Sequence, residues 1–190
     1  SYIKGGPPAS RESAIHYLAG GGLEEYTGLD KSSKAPGSGG TFAPGPNSKS
    51  TLQWVNSGST SHYVLKPLGG STLRFATSDK PGDPECRYFL TEVSDAFGNT
   101  CTYSYETLPS NGGLRLTSIT DAAGKITTLS YENTSFPLQI TKVTDPFGRF
   151  AVIAYNTQGR LISVTDPVGI VSGFEYLDGT GYLNRLITPY

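Results

Sequence analysis

From Leu90 onward the chain repeats one arrangement of apolar and polar positions. A Leu or Ile, a Val or Ile three residues on, and an Asp two residues after that recur as Leu90/Val93/Asp95, Leu116/Ile119/Asp121, Ile140/Val143/Asp145 and Leu161/Val164/Asp166. A Gly follows each Asp by three residues and a Tyr by ten, giving Gly98/Tyr105, Gly124/Tyr131, Gly148/Tyr155 and Gly169/Tyr176. A fifth copy starts at Leu183 and is cut at Tyr190. The flanks of each Asp–Gly segment are rich in Thr, Val, Ile, Leu, Tyr and Phe, which predicts strands packed on at least one face. A period of 21 to 26 residues predicts a repeat architecture.

Asp first, Pro or Ala second and Gly fourth is the composition of a type I turn whose Gly takes the left-handed conformation and closes a hairpin with a bulge. Asp145-Pro146-Phe147-Gly148 and Asp166-Pro167-Val168-Gly169 carry the whole pattern; Asp95-Ala96-Phe97-Gly98 and Asp121-Ala122-Ala123-Gly124 differ at the Pro. These aspartates therefore read as turn formers. Asn156-Thr157-Gln158-Gly159 has the same composition and predicts a second turn between hairpins. From each Tyr to the next repeat the distance is eleven, nine, six and seven residues, so insertions collect at one edge. The fold expected is all-β, an antiparallel array of hairpins, with repeats at about 90–115, 116–139, 140–160, 161–182 and a partial copy at 183–190.

Leu-x-x-Val-Thr-Asp-x-x-Gly followed by Tyr, and Tyr155-Asn156-Thr157-Gln158-Gly159-Arg160-Leu161, resemble the YD repeats of bacterial Rhs-type proteins, whose fuller form is Tyr-Asp-x-x-Gly-Arg. The resemblance covers roughly residues 63 to 190, since Tyr63 through Phe75 is similar to a degenerate opening hairpin. Glu106, Glu132, Asn156 and Leu177 or Glu175 flank the tyrosines in place of the family's Asp. The resemblance implies an antiparallel sheet that spirals into a hollow shell, used to enclose a C-terminal toxin or displayed at a cell surface. Encapsulating members cut themselves at a motif of the form Pro-x-x-x-x-Asp-Pro-x-Gly-Leu. Residues 145–148 and 166–169 match only its Asp-Pro-x-Gly piece, without the upstream Pro or final Leu, and read as repeat turns.

Ahead of the array, 51–89 reads as degenerate opening hairpins. Residues 1–50 differ in kind: Gly5-Gly6-Pro7-Pro8, Gly20-Gly21-Gly22 and the Gly, Pro and Ser load of Ser32 to Ser50 cannot bury enough apolar surface to fold alone. They read as an extended arm or linker, with Ser13 to Leu18 a short helical turn or strand. A sharper reading lays the arm along a neighbouring shell or subunit by strand addition, through Tyr17, Leu23, Tyr26 and Phe42. An array with an open end at each side leaves unpaired edges, which a next repeat or stacking into a fibre would satisfy.

Composition agrees with a β scaffold: 24 Gly, 13 Pro, 12 Tyr and 36% hydrophobic residues. A formal net charge of −1 with interspersed signs offers no stripe for phosphates, which excludes nucleic acid as an expected partner. No run approaches the length of a membrane span. The lack of Met and the truncated fifth copy point to a processed product or a piece of a longer chain.

Candidate chemistry is sparse. Cys86 and Cys101 are the two cysteines, a possible disulfide in an extracellular setting. The hairpin register expected from the turn sets Glu92 opposite Cys101, so the bond would come from a neighbouring strand. His16 and His62 lack the spacing of a metal site. Glu24-Glu25 reads as too exposed for a catalytic pair. Asn133-Thr134-Ser135 matches a glycosylation sequon. Tyr105, Tyr131, Tyr155 and Tyr176 are expected to stack between successive hairpins, contributing ~1.5–3 kcal/mol each on burial. Exposed Tyr63, Tyr88, Tyr103 or Trp54 would serve carbohydrate. No cofactor, metal or catalytic residue is expected, and the partners are neighbouring repeats, copies of the chain, or a glycan at a cell surface. A non-enzymatic structural segment of a secreted or surface-exposed protein, as shell wall or fibre unit, is the function expected. A glycan-binding module and a fragment of a self-processing toxin precursor are the alternatives.

Overall fold

The computed structural model describes residues 1–5, 13–31, 39–56, 60–83, 85–108, 113–177 and 179–189. Among them there is no helix; sixteen strands form one continuous antiparallel sheet. The repeat region supplies its open part. Strands β8 (Arg87–Ser94) and β9 (Thr100–Thr107), β10 (Leu114–Thr120) and β11 (Ile126–Ser130), β12 (Lys142–Thr144) and β13 (Phe150–Tyr155), and β14 (Leu161–Thr165) and β15 (Val171–Tyr176) are hairpins. Each is hydrogen-bonded to the next, with β16 (Leu183–Ile187) at the outer edge.

The N-terminal region corrects the expectation of an arm. Strands β1 (Tyr2–Lys4), β2 (Ala14–Tyr17) and β3 (Leu23–Tyr26) form a meander, and β1 pairs with β8 through Ile3↔Tyr88. The Gly20-Gly21-Gly22 triplet is a hairpin turn rather than a linker: all three have φ between +89° and +102°, and Leu18 N donates to Gly22 O at 3.1 Å. Past β3, Asp30 and Thr41 exchange both backbone bonds, at 2.8 and 3.1 Å, and Ala43 N donates to Thr27 O at 2.9 Å. Thr41 belongs to β4 (Gly40–Thr41), which pairs with β5 (Thr51–Asn56); β6 (Ser61–Lys66) and β7 (Thr72–Ser78) lead back to β8. The ring of strands thus closes, making β1–β8 a small barrel.

Alternation in these strands explains why they close. Burial runs B-i-B-i along Ala14-Ile15-His16-Tyr17 and e-B-e-B along Leu23-Glu24-Glu25-Tyr26, so every second side chain points inward. The core is almost wholly here: Ile3, Ala14, Tyr26, Phe42, Leu52, Trp54, Tyr63, Leu65, Phe75, Cys86 and Tyr88 are buried together. Each large apolar side chain contributes ~1.5–3 kcal/mol by leaving water. Residues 1–50 do not need to fold alone, because β5–β8 supply the other half of their core. The boundary drawn at residue 50 runs through the barrel.

Strand β8 belongs to both parts. Its first half, Arg87–Phe89, pairs with β1, and its last three residues, Glu92–Ser94, pair with β9. The sheet forks there into barrel and ribbon. The expectation of an open edge at both ends is corrected on this side: the barrel consumes the N-terminal edge, the complete solution to unpaired backbone.

Candidate functional site

Among the described residues the ribbon is one sheet thick, and its chemistry is that of its repeating unit. In each Asp–Gly turn the carboxylate Oδ1 accepts two backbone N–H groups. For Asp121 these are Ala123 N and Lys125 N, both at 2.9 Å; for Asp145 they are Phe147 N at 2.8 Å and Arg149 N at 2.9 Å. Asp95 and Asp166 do the same. Gly98, Gly124, Gly148 and Gly169 have φ between +78° and +88°, the left-handed residue of the bulged turn. Asn156 copies the arrangement with Oδ1 accepting from Gln158 N at 3.0 Å and Arg160 N at 2.9 Å, and Gly159 has φ +75°.

The repeat tyrosines depart from the expected stacking. No ring pair among the described residues joins two of them. Instead the Tyr105, Tyr131 and Tyr155 hydroxyls donate to the carbonyls of Leu90 (2.7 Å), Leu116 (2.6 Å) and Ile140 (3.0 Å), in each case fifteen residues back. The bond ties the end of the return strand to the start of the outgoing one, which accounts for the unvarying Asp-to-Tyr distance. The invariant fifteen-residue offset was the sequence signal for it.

A bulge sets the face. Leu116 opposes Tyr105 and Ser118 opposes Ser104, so three residues on β10 match two on β9, with Thr117 the extra residue, and Ile119 falls opposite Tyr103. Thr117 Oγ1 donates to Ser104 O at 3.1 Å, and Thr141 Oγ1 to Ser130 O at the same distance. The bulge lets Leu and Ile, an odd spacing apart, share one face. Following the register from strand to strand, Leu65, Leu73, Val93, Tyr103, Ile119, Leu129, Val143, Ile153, Val164 and Phe174 lie on that face, which begins as the barrel interior. The opposite face mixes Thr128, Lys142, Thr144 and Ser163 with Ile126, Phe150, Val152 and Val171.

Two arginines stand immediately before the Leu of their repeats and cover the Tyr ring of the same repeat, Arg115 over Tyr131 at 4.6 Å and Arg160 over Tyr176 at 5.6 Å. Arg115 also pairs with Glu106 and donates to Pro137 O at 2.9 Å. Beside Arg160 lies a cleft of about 410 Å³ lined by Asn156, Gln158, Phe174, Tyr176 and Leu177.

This geometry agrees with the family comparison. Residues 155–190 match the RHS repeat family model. Over that span the chain is similar to an RHS repeat. The match opens on Tyr155 and Asn156 and takes in the Asp166 turn, Tyr176 and Leu183; the three preceding copies share the RHS repeat's turn and face without falling inside the matched span. No curated protein matches the chain.

Other candidates resolve as follows. Trp54, Tyr63 and Tyr88 are buried in the barrel, which corrects their reading as exposed sugar platforms; Tyr103 is half-buried on the apolar face. Glu24 is buried too, not exposed, while Glu25 points outward. Burial pushes the Glu24 carboxyl up, but hydrogen bonds from Ser48, Asn47 N and the Tyr26 hydroxyl outweigh it and hold the group at about 2. Tyr26 and Ser50 complete that network at 2.6 Å. It closes the barrel floor with every polar group partnered, a structural role.

His16 is buried against the edge of Phe75, 5.5 Å between centroids, and burial pulls its pKa down. His62 is half-buried with its pKa likewise lowered by burial. Among the described residues no cluster of three metal-ligating side chains exists. Cys86 and Cys101 are both free thiols. The register sets Val93, not Glu92, opposite Cys101, because the bulged turn places the Ser94↔Thr100 pair next to it. Cys86 lies seven positions back from Val93 along the β8 side, roughly 20 Å at strand rise, far outside disulfide reach. Asn133 of the sequon caps its own loop, Oδ1 accepting from Ser135 N at 3.1 Å and Phe136 N at 3.2 Å. No helix among the described residues is long and apolar enough to cross a membrane.

Proposed function

We propose that this chain is a non-enzymatic wall segment of a secreted or cell-surface YD-repeat protein, with its barrel sealing one end of the sheet. One observation carries the reading: the apolar face of the ribbon continues without a break from the barrel interior, while the other face interleaves Thr, Ser and Lys with exposed Ile126, Phe150, Val152 and Val171. A one-layer sheet with that asymmetry separates an inside from an outside. The four repeat aspartates spend their carboxylates on turn N–H groups, which supports a scaffold over an enzyme. The wall joins further repeats of the same kind or copies of itself along β16, whose Leu183, Leu186 and Ile187 are exposed.

Analytical ultracentrifugation and electron microscopy of the chain, beside a glycan array, test this. A wall segment associates laterally through its apolar face, and Ile153→Lys with Val164→Lys abolishes the association while the circular dichroism stays β. A dispersed monomer that binds a glycan, with binding lost on Tyr103→Ala, would make the chain an adhesion module instead.

A further inference from the structure

We infer that the outer face of the ribbon at β11 to β13 is a docking surface for an anionic lipid bilayer, entered by Phe147 and Phe150 and held by Lys125 and Lys142. The register puts large apolar side chains where a solvent-facing sheet would carry polar ones. Ile126 stands opposite Thr120, Phe150 opposite Thr144 and Val152 opposite Lys142, so all lie on the face turned away from the barrel interior. Phe147, at the third position of the Asp145 turn, is 69% exposed, and Ile126, Phe150 and Val152 are exposed beside it. Grouped apolar side chains open to water mark an interaction surface. Residues 113–177 are all described, so β10 to β14, which hold the patch and its neighbours in the sheet, are complete.

Cations border these rings. Lys142 Nζ stands 4.1 Å from the Phe150 centroid and Lys125 Nζ 5.1 Å from that of Phe147, which the Arg149 guanidinium approaches at 5.5 Å. Among the described residues Lys125 and Lys142 enter no ion pair, while Arg149 pairs with Asp145. The carboxylates of the neighbouring turns, Asp121, Asp145 and Asp166, are drawn onto turn N–H groups, and the Asp145 side chain is 28% exposed where that of Arg149 is 68%. Outside the described residues the side-chain carboxylates are Glu12 and Asp178. Ser13, which follows Glu12, adjoins β2, on the far side of β1 and β8 from the ribbon. Lys142, Val152, Thr165 and Val171 stand in line across the sheet, and Leu177, which precedes Asp178, is roughly 20 Å along the strand from that line and three strands over. The lysines are therefore available to an anion from outside. Each ring already gives a face to a cation, so a stacking sugar would have to displace it, and a symmetric contact with a second copy would set the lysines against themselves. A bilayer takes ring edges and methyl groups into its apolar boundary and offers anionic headgroups to lysines just outside it, which is the chemistry this face presents.

The test is co-sedimentation of the full chain with phosphatidylcholine vesicles that do or do not contain phosphatidylserine. Binding to the phosphatidylserine vesicles is expected, weakened by added salt and by about fivefold for Lys125→Ala or Lys142→Ala. Phe147→Ser, at an exposed turn position, should weaken binding without disturbing the circular dichroism, and Phe147→Ser with Phe150→Ser should abolish it. The inner-face pair Ile153→Lys and Val164→Lys should retain vesicle binding, so that loss of lateral wall association and loss of lipid binding are read apart. No binding, equal binding to both vesicle types, or undiminished binding by the double Ser variant would overturn the inference. Pelleting in the absence of vesicles that Phe147→Ser removes would also overturn it, since a second copy would then cover the patch.

Discussion

The Tyr131 hydroxyl donates to the Leu116 carbonyl at 2.6 Å, joining the residue just past a hairpin's return strand, β11, to the third residue of its outgoing strand, β10. Leu116 stands at the bulge, beside the extra residue Thr117, and the tyrosine hydroxyl gives its carbonyl a partner there. Tyr131→Phe keeps the ring and removes the bond. We expect a loss of about 1–2 kcal/mol, from an unpaired half-buried carbonyl, read as a lowered urea midpoint with an unchanged m-value. An unaltered midpoint would make the bond incidental.

The turn glycines give a backbone test. Nothing lies within 4 Å of a Cβ built at Gly124 or Gly148, and φ is +78° and +82°. Any cost of Gly124→Val or Gly148→Val is thus conformational, about 1–3 kcal/mol. Asp121→Asn should cost little, because Asn156 makes the same pair of turn bonds, whereas Asp121→Ala loses both. Thermal melts of the four variants rank them.

Acid should act through Glu24 in particular. Its carboxyl is held at about 2 against an ordinary value of 4.5, so the stability it contributes is complete above pH about 4.5 and is lost as pH falls toward 2. Asp95 adds to the same trend through the Asn99 side-chain amide, and so does Asp145, where desolvation raises the carboxyl but the bonds from Arg149 and Phe147 N together outweigh it. Glu24→Gln should flatten the acid limb of the stability curve between those values and leave the limb from Asp95 and Asp145. Parallel curves for the two proteins would remove Glu24 from the account.

The barrel predicts the behaviour of the single tryptophan. Trp54 is 2% exposed, its ring 4.6 Å from that of Tyr63 and 5.5 Å from Tyr88. Deleting residues 1–26 removes Ile3, Ala14 and Tyr26 from the core and opens the ring of strands. Trp54 emission should shift to the red and become quenchable by iodide. A blue-shifted, protected Trp54 in the shortened chain would mean that the first three strands are an appendage after all.

The repeat region was legible because its determinants are local. An Asp oxygen reaching the N–H groups two and four residues on, and a Gly free to take positive φ between them, are consequences of composition at adjacent positions. Those turns, the Asn156 turn and the strands on either side stand where the pattern predicts them. The bulge at Thr117 was half-visible: an apolar pair at an odd spacing cannot share a face of a regular strand. The tyrosine bond was visible only as a constant distance, since a phenol can equally stack.

Residues 1–50 misread for the opposite reason. Their strands are three or four residues long and their apolar content is low, so no local sum favours folding. Ile3 finds its partner at Tyr88, 85 residues away, and Glu24 finds Asn47 and Ser48 across a closed barrel. By itself the sequence determined the hairpins and their turns, because those depend on neighbours along the chain. Only the tertiary structure decided that the sheet forks at β8 and closes on itself, and that Trp54, Glu24 and Cys86 are interior. Those outcomes depend on long-range pairing, which short strands support only when the other half of their core is already in place.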